Sequence, residues 1–564
     1  MKQLSFLVIG AGSRGSAYAR AITTSTPARI SAVADPDPYK RLSLGEKYIW
    51  GNGGPKPGQE FSGWEDWIEY ETRRRKQASL GDGGDDTSGV DGVLICVLDE
   101  THISVLSALA KADFLDLHVL CEKPLALSLD DCLSVYAAWT KPSPSSNPEK
   151  EQEKQPKSIF SIGHVLRYSP HNLALRRLVR EENVIGDIVS VEHTEPVGHW
   201  HFAHSYVRGN WRRETEKGDG SLLTKSCHDI DFLLWLIEGD VSSSTSTNNA
   251  PTNDNAINTP QKERRLDLRT IHSTGHLAQF TQTQKPPSAG PATNCTSCPI
   301  ERHCTYSAIR IYRDNQLRKG ETRWPVDIVC PDIEDHLRPR HRENGIKHGS
   351  GKQDIVAEEG EAHLLSALGE DYDDDADDMT VKNRPWYGRC VWESDNEVVD
   401  DQVVTLAWDV IPTTPSQTKQ ISKKNKPGIT ALFHMTAPTE SQCVRRGRIY
   451  GKAGEITYTS SSITIYTFAD GETRTIEIPA HSADEEEAHG GGDYGLARGF
   501  VGAVEAVVNW GWDVQRAQRE FVGCTLGDVV KSHGVVFAAE ESRRGERVLR
   551  WKEWWEGKLR GVGM

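Results

Sequence analysis

Two short polar motifs carry side chains suited to moving a proton to or from a hydroxyl group. Lys123 follows an apolar run that ends at Cys121, and its ammonium could hydrogen-bond a substrate oxygen and favour alkoxide formation. Far downstream, His228 opens an apolar helix, and Asp231 follows three residues later on the same helical face. We therefore predict that His228 accepts the proton and that Asp231 supports it. The alternative is a histidine that only caps or packs the helix.

A glycine-rich loop near the N-terminus has the residue types that bind a pyrophosphate. It follows an apolar strand and opens a helix, which is the context in which G-x-G-x-x-G binds a dinucleotide. The predicted cofactor-binding residues of the loop are Gly10, Gly12, Ser13, Arg14 and Gly15. Asp35 ends the second predicted strand, where a carboxylate binds a ribose hydroxyl and repels a 2′-phosphate. The pattern predicts NAD; NADP stays open because Arg14 could meet a 2′-phosphate.

Four cysteines are candidate metal ligands. Cys295 and Cys298 are separated by two residues, Cys304 follows closely, and Cys390 is the best fourth candidate, with Cys330 and His303 as the alternatives. Four thiolates suit a tetrahedral zinc ion and leave no open position for a substrate, so such a site would be structural. The alternative is unconnected reduced thiols on a loop. An iron–sulfur cluster is the less favoured metal centre, because the spacing matches no common ferredoxin pattern.

The elements that must position these side chains divide the chain into two parts. In the first, short apolar strands alternate with helical patterns, which predicts a doubly wound parallel α/β sheet. These strands are predicted at 4–9, 29–34, 90–98, 117–121 and 159–165. We therefore predict a Rossmann domain over residues 1–168.

The second part carries long segments of period two, followed by two helical patterns. The strands are predicted at 188–194, 403–411, 429–435, 448–458, 463–468 and 474–478. Such runs predict a large, mainly antiparallel open sheet. We therefore predict an α+β domain over residues 169–564, interrupted by low-complexity insertions at about 241–293, 345–381 and 412–428.

Composition limits the class of function. The chain has 564 residues, a net charge of −15 and 37% hydrophobic residues, and we assign the low apolar fraction to the insertions. The acidic balance disfavours nucleic-acid binding, and no apolar run approaches the roughly 20 residues of a membrane span. No signal peptide is expected at the N-terminus. The 11 cysteines indicate reduced thiols, so we predict a cytoplasmic protein.

The chain resembles the Gfo/Idh/MocA family of NAD(P)-dependent oxidoreductases. The resemblance rests on four motifs in a fixed order: the glycine loop, a strand that ends in Asp, Glu-Lys-Pro and His-Asp-Ile-Asp. The resemblance covers nearly the whole chain apart from the insertions. It implies that Lys123 contacts the nicotinamide ribose and the substrate, and that His228 is the general base. It also implies that Glu122 and His102 lie beside the cofactor, and that the C-terminal sheet can form a homo-oligomer interface.

One position departs from the family pattern. Many members carry an Asp four residues before the histidine, whereas this chain has Thr224, followed by Lys225. The proton relay could therefore use Lys225 or Asp231, and the identity of the substrate stays open. We expect hydride transfer between nicotinamide and a carbinol carbon of a sugar, polyol or related small molecule. The alternatives are a non-catalytic NAD(P)-binding regulator or scaffold and an NAD-dependent glycosidase-like member.

Overall fold

The N-terminal part of the chain forms a parallel sheet. The computed structural model describes residues 1–80, 89–142, 154–214, 220–239, 265–337, 352–373, 375–411, 427–478, 482, 485 and 489–561. The first strands are β1 (Ser5–Ile9), β2 (Arg29–Ala34), β3 (Glu60–Phe61), β4 (Gly92–Ile95), β5 (His118–Cys121), β6 (Thr140–Pro142), β7 (Lys154–Pro156) and β8 (Phe160–Ile162). Six of them pair in the order β3-β2-β1-β4-β5-β8, all parallel, while β6 and β7 form a separate antiparallel pair.

Helices connect these strands on both sides of the sheet, as the sequence alternation predicts. They are α1 (Ser13–Ser25), α2 (Pro38–Tyr48), α3 (Trp64–Ser79), α4 (His102–Lys111) and α5 (Leu129–Trp139). The residues of β1, β4 and β5 are all buried, because helices cover both faces of a parallel sheet. The doubly wound α/β prediction is confirmed.

The second sheet is large and mainly antiparallel. Its strands are β9 (Ile188–Pro196), β10 (Arg265–His276), β11 (Asp401–Ile411), β12 (Gly428–Thr436), β13 (Arg446–Gly451), β14 (Gly454–Tyr458), β15 (Ser462–Thr467), β16 (Thr473–Glu477) and β17 (Leu549–Arg550). They pair in the order β16-β15-β14-β13-β9-β12-β11-β10-β17, and β9 with β12 is the parallel pair among them. Buried and exposed residues alternate along β11 and β12, which is the period-two pattern that the sequence shows.

Two sequence expectations about the second part are wrong. The run 448–458 is not one strand but two, β13 and β14, joined by a tight turn. The expected insertion 241–293 contains β10, a strand inside the sheet that pairs with β11 along its length. Threonine, serine and histidine alternate with apolar residues in β10, so its composition hides its strand character. Residues 240–264 and 412–426 of the expected insertions lie outside the described residues.

The remaining helices lie in the second part of the chain. They are α6 (Pro170–Arg176), α7 (His199–Phe202), α8 (Ser221–Thr224), α9 (Cys227–Glu238), α10 (Val326–Val329), α11 (Ile333–Leu337), α12 (Lys352–Gly369), α13 (Asp378–Lys382), α14 (Gly492–Trp510), α15 (Val514–Ala517), α16 (Leu526–Arg544) and α17 (Trp551–Gly561). Among the described helices, none has the length and apolar character needed to cross a membrane.

The C-terminal helices return to the N-terminal sheet. Phe500 of α14 packs on Phe6 of β1, with ring centroids 5.4 Å apart. Gln518 bonds both backbone groups of Phe160 in β8, at 3.0 and 2.8 Å, as a neighbouring strand would. The apolar core of the first sheet therefore includes residues that lie far beyond position 168 in sequence.

The segment between β10 and β11 has an apolar core of its own. It includes α12, which lies in the expected insertion 345–381, so that stretch is not without structure. The buried residues of this core are Cys295, Ala308, Ile311, Tyr312, Leu317, Val326, Cys330, Ile333, Leu364 and Leu368. This segment is therefore a small folded unit attached to the main sheet.

Candidate active site

The glycine loop has the geometry of a phosphate-binding turn. Gly10 has a φ of +96°, and its N–H bonds the carbonyl of Ala34 at 2.8 Å, which fixes the turn against β2. A Cβ on Gly15 would lie 2.0 Å from the carbonyl oxygen of Gly10, so a larger residue would separate the helix from the loop. Around Gly12 there is open space. No described side chain caps the start of α1, which leaves its N–H groups to bind an anion.

Asp35 stands at the end of β2, beside this loop. Its carboxylate accepts hydrogen bonds from the N–H groups of Ala11, at 2.7 Å, and Asp37, at 2.8 Å. These bonds hold the carboxylate in place, and each oxygen keeps a lone pair for a further donor. The position fits the ribose contact that the sequence predicts.

Arg14 is engaged by two carboxylates instead of facing open space. Its Nε donates to Glu122 at 2.9 Å, and its two Nη atoms donate to Asp493 of α14 at 3.0 and 2.7 Å. Tyr18 donates to the same oxygen of Glu122 at 2.5 Å. Burial opposes ionisation of Glu122, but the charges of Arg14 and Lys123 and the hydrogen bond from Tyr18 together outweigh it and lower the pKa of that carboxyl. These bonds give no support to a contact between Arg14 and a 2′-phosphate.

Lys123 joins the two parts of the molecule. It follows β5, at the edge of the parallel sheet where ligands bind in open α/β folds. Its Nζ donates to the carbonyl oxygen of Thr224 at 2.6 Å and lies 5.8 Å from the ring of Trp211. Trp211 in turn donates to Asp99 at 2.9 Å. Burial raises the pKa of Asp99 to about 6, although the charge of Lys123 opposes this shift.

His102 lies beneath this cleft and is fully buried. Its Nδ1 is 2.7 Å from the carbonyl oxygen of Pro124, and its Nε2 is 3.2 Å from that of Val97. On the other side of the same turn, the N–H of Leu125 donates to His533 of α16 at 2.9 Å. Both histidines hold the backbone that carries Lys123, and the geometry of His102 does not support the predicted contact with a cofactor.

His228 is neutral and has one unpartnered ring nitrogen. Its Nε2 is 2.7 Å from an Nη atom of Arg445 and 3.4 Å from a carboxylate oxygen of Asp229. Its Nδ1 is buried without a hydrogen-bond partner among the described residues. Burial holds the pKa of His228 well below its usual value; the charge of Asp229 opposes this shift, while those of Arg445 and Lys123 add to it. A neutral imidazole with a free nitrogen can exchange a proton with a ligand.

The predicted support of His228 by Asp231 is corrected by the structure. The carboxylate of Asp231 forms two hydrogen bonds with Arg167, at 2.6 and 2.8 Å. It is the neighbouring Asp229 that faces His228, and it also binds Arg445 Nε at 2.6 Å. Helical spacing alone does not show which partner a buried carboxylate faces, and the turn that carries Arg167 is packed against α9.

Thr224, which stands where many family members have an Asp, and its neighbour Lys225 contact different residues. Thr224 offers its main-chain oxygen to Lys123, so a carbonyl fixes the ammonium here. Lys225 binds the sulfur of Cys443 at 3.1 Å and lies 3.3 Å from a carboxylate oxygen of Glu195. Lys225 therefore acts on His228 only through its charge, which helps to lower the pKa of the imidazole.

Sequence reasoning missed several members of this cluster. Arg445 and Glu195 come from β-strand ends on the second sheet, and Asp493 comes from the start of α14. The sequence does not mark them, because Glu195 follows Glu-His-Thr, Arg445 follows Gln-Cys-Val and Asp493 follows three glycines. Asp229 stands inside the His-Asp-Ile-Asp motif, but its role depends on Arg445, more than 200 residues away.

The four predicted cysteine ligands converge. Cys295, Cys298, Cys304 and Cys390 line one small cavity in the unit between β10 and β11. They are not gathered as one zinc ion requires, since no three of these described sulfurs lie within 4.8 Å of one another. The four predicted ligands therefore lie around one cavity, but the distances between their sulfur atoms do not support a bound zinc ion.

Comparison with known proteins bears on both parts of the chain. A family model described as "Oxidoreductase family, NAD-binding Rossmann fold" matches residues 4–143, and its companion, "Oxidoreductase family, C-terminal alpha/beta domain", matches residues 178–279. The chain is similar to inositol 2-dehydrogenase 1 of Saccharopolyspora erythraea, with 23% identity over 235 residues, 42% of this chain and 54% of that protein. It thus spans about half the length of this relative.

The chain is also similar to a curated hydratase and to a solved dehydrogenase structure. The chain is 29% identical over 120 residues to the 2,7-anhydro-N-acetylneuraminate hydratase of Escherichia coli, covering 21% of this chain and 27% of the hydratase. A crystal structure of levoglucosan dehydrogenase with NADH and levoglucosan matches with a TM-score of 0.50 and 13% identity, over 97% of this chain and 99% of that one. At this identity the match shows the fold.

Proposed function

Because the chain belongs to the Gfo/Idh/MocA oxidoreductase family, we propose that it is an NAD-dependent dehydrogenase of a sugar, polyol or related small molecule. The reaction would move a hydride between C4 of nicotinamide and a carbinol carbon. The single observation that carries the proposal is the 2.6 Å bond from Lys123 to the carbonyl of Thr224, which brings the Glu-Lys-Pro turn against α8, the short helix just before His228. The names of the inositol and levoglucosan dehydrogenases support a polyhydroxylated substrate.

The residues fit a dinucleotide. Gly10, Gly12 and the open N-terminus of α1 would hold the pyrophosphate, and Asp35 would accept a ribose hydroxyl. A carboxylate at this position repels a 2′-phosphate, so we propose a preference for NAD over NADP. When bound, the nicotinamide supplies the carbon that accepts or gives the hydride.

Lys123 and His228 would share the work on the substrate oxygen. The Lys123 ammonium donates a hydrogen bond to that oxygen and stabilises the negative charge that develops there as the proton leaves. The free Nδ1 of His228 accepts the hydroxyl proton. The low pKa of His228 keeps the imidazole neutral, and therefore able to accept, at neutral pH.

Asp229 and Arg445 would select the tautomer of His228. For Nδ1 to take the proton of an alcohol, Nε2 must carry the hydrogen, so Arg445 has to leave its 2.7 Å contact with Nε2 and let that hydrogen face Asp229. When Nε2 accepts from Arg445, Nδ1 carries a hydrogen and donates to a carbonyl oxygen. Once Nδ1 has taken up a proton, the low pKa of His228 favours loss of the Nε2 proton towards solvent. The ring then changes from the tautomer with hydrogen on Nε2 to the tautomer with hydrogen on Nδ1. Each tautomer thus matches one redox state of the substrate.

Binding and turnover assays on the purified chain test this function. We expect NADH to bind with a change in its fluorescence, and NAD to be reduced by at least one member of a panel of inositols, aldoses and anhydrosugars. NADH binding without turnover on the panel would favour the regulator instead. Aryl-glycoside hydrolysis that does not consume NAD would favour a glycosidase-like reaction. Failure to bind either nucleotide would contradict all three.

We further propose how the chain is organised and where it works. Residues 1–168 and 169–564 would act as two domains around the cleft; each has a main core, although residues of the C-terminal helices pack into the core of the first. Exposed side chains such as Leu432 and Tyr466 on the second sheet support a homo-oligomer through its open face, which light scattering can test.

All eleven cysteines are free, which supports a reducing cytoplasmic location.

A further inference from the structure

A cavity outside the active site is surrounded by sulfur. Four of the chain's cysteines line it, three from residues 295–304 and the fourth, Cys390, from a distant segment between β10 and β11. Cys295 and Cys390 are held by backbone bonds, Cys295 N–H to Gly388 at 2.8 Å and Cys390 N–H to Thr293 at 2.7 Å. Apart from the cysteines and the charged residues Arg208 and Glu301, the lining is apolar or aromatic and consists of Ala289, Ile300, Tyr306, Val391 and Trp392. The fold thus collects four thiols from positions up to 95 residues apart.

The spacing of the sulfurs is wider than one zinc ion permits. Zinc binds thiolates at about 2.3 Å, which in a tetrahedron puts the sulfurs about 3.8 Å apart. In the described part of the chain no three cysteine sulfurs lie within 4.8 Å of one another. The cavity between them has a volume of about 10 Å³, roughly that needed for one water-sized sphere. An iron–sulfur cluster holds its four thiolates farther apart than a single ion does, because the iron and sulfide atoms stand between them.

A buried positive charge faces the same cavity. Arg208 is 1% exposed, and its Nη2 donates to the sulfur of Cys295 at 3.4 Å and to the carbonyl of Tyr306 at 2.8 Å. Its Nη1 is buried without a hydrogen-bond partner, and the described residues give the guanidinium no ion pair. The N–H of Ala308 also donates to the sulfur of Cys295, at 3.4 Å. A buried guanidinium is costly unless an anion compensates it, and thiolates at the cavity would do so.

We propose that Cys295, Cys298, Cys304 and Cys390 bind an iron–sulfur cluster whose negative charge is compensated by Arg208. Four thiols lose their protons, and each thiolate binds one iron; sulfide and equal amounts of ferrous and ferric iron come from solution or from an assembly system, so the cluster forms without a further oxidant. The cluster joins two distant segments, residues 295–304 and Cys390, of a unit with a small apolar core, so its role is to stabilise that unit. The proposal is independent of the dehydrogenase reaction.

Metal analysis of the full chain tests the proposal. The protein is purified without oxygen, reconstituted with sulfide and with ferrous and ferric iron in equal amounts, and desalted; iron, acid-labile sulfide and zinc are then measured together with the visible absorption. We expect iron and sulfide in equal, multiple amounts per chain and a broad absorption band near 400 nm that dithionite bleaches. Retention of neither iron nor sulfide, one zinc per chain in their place, or a disulfide between these cysteines would overturn the proposal.

Variants assign the signal to these residues. Cys298→Ser and Cys304→Ser replace the two partly exposed ligands and should lose at least half of the bound iron. Cys330→Ala, a buried cysteine of the same unit that does not line the cavity, should keep it. Circular dichroism confirms folding, and the wild-type result alone can refute the proposal if the variants do not fold. His363→Ala removes zinc that binds elsewhere, since Asp332, His336 and His363 lie within 4.8 Å of one another.

Discussion

Replacing Asp229 by asparagine tests the assignment of the residue that orients His228. The carboxylate lies 3.4 Å from Nε2 of His228 and receives the Nε hydrogen of Arg445 at 2.6 Å. Asparagine keeps the shape but loses the charge, so the Nε2 hydrogen is no longer held towards position 229. Because Nδ1 then carries the hydrogen more of the time, fewer molecules can accept a proton from an alcohol.

The expected magnitudes differ for stability and for catalysis. Arg445 keeps a second carboxylate, Glu195, at 3.0 Å, but Asp229 also binds Nε2 of His193 at 3.0 Å, so the free energy of unfolding should fall by about 1.5–3 kcal/mol for each charged hydrogen bond that is lost. Loss of general-base function should lower kcat by about 10²- to 10⁴-fold. The negative charge of Asp229 raises the pKa of His228, so its removal should move the acid limb of kcat/KM to still lower pH.

Asp231→Asn is the matched control. It stands on the same helix, is equally buried and loses an equivalent pair with Arg167, but does not contact His228. We expect it to lower the unfolding free energy by a similar or larger amount and to leave kcat within about threefold. Steady-state kinetics over pH, with urea unfolding of both variants, make the comparison. If Asp231→Asn removes turnover while Asp229→Asn keeps it, our reading of the cluster is refuted.

Three further predictions concern the nucleotide loop and acid stability. Asp35→Ser should lower the kcat/KM preference for NAD over NADP by about tenfold, or ~1.4 kcal/mol; an unchanged ratio would show that Asp35 does not contact the ribose. Gly15→Ala should weaken NADH binding in fluorescence titrations by at least about tenfold, because the added Cβ meets the Gly10 carbonyl at 2.0 Å, whereas Gly53→Ala, in open space, should not. Burial lowers the pKa of His118 to about 4, below its unfolded value, so the stability it contributes at neutral pH is lost as pH falls from about 6.5 towards 4. Thermal melts of the wild type should show a larger fall in Tm over this window than melts of His118→Gln.

Much of the fold can be predicted from the sequence because its signals are local. Fully apolar runs mark the parallel strands, and period-two runs mark β11 and β12. The glycine loop and Lys123 were also locatable, because their function depends on the strand that precedes them. Strand β10 was missed because polar residues fill its sequence and its apolar partners lie on β11, more than 100 residues later.

The polar contacts of the active site could not be predicted, because they depend on register and on packing between distant segments. Arg445 reaches His228 only because β13 pairs with β9 beside the start of α9. Asp493 reaches Arg14 only because α14 returns to the first sheet. The same limit explains the misassigned role of Asp231, whose partner Arg167 was not specified by helical spacing.

Transfer of a label from the nicotinamide to the substrate tests the central claim most directly. NADH carrying deuterium at C4 is mixed with the protein and the oxidised form of the best substrate of the panel, and the product is analysed by mass spectrometry. We predict deuterium on the carbinol carbon for the wild type. For Lys123→Ala we predict NADH binding within about threefold of wild type and transfer slowed by about 10³-fold or more. Product that carries no deuterium, or transfer at the wild-type rate by Lys123→Ala, would contradict the account.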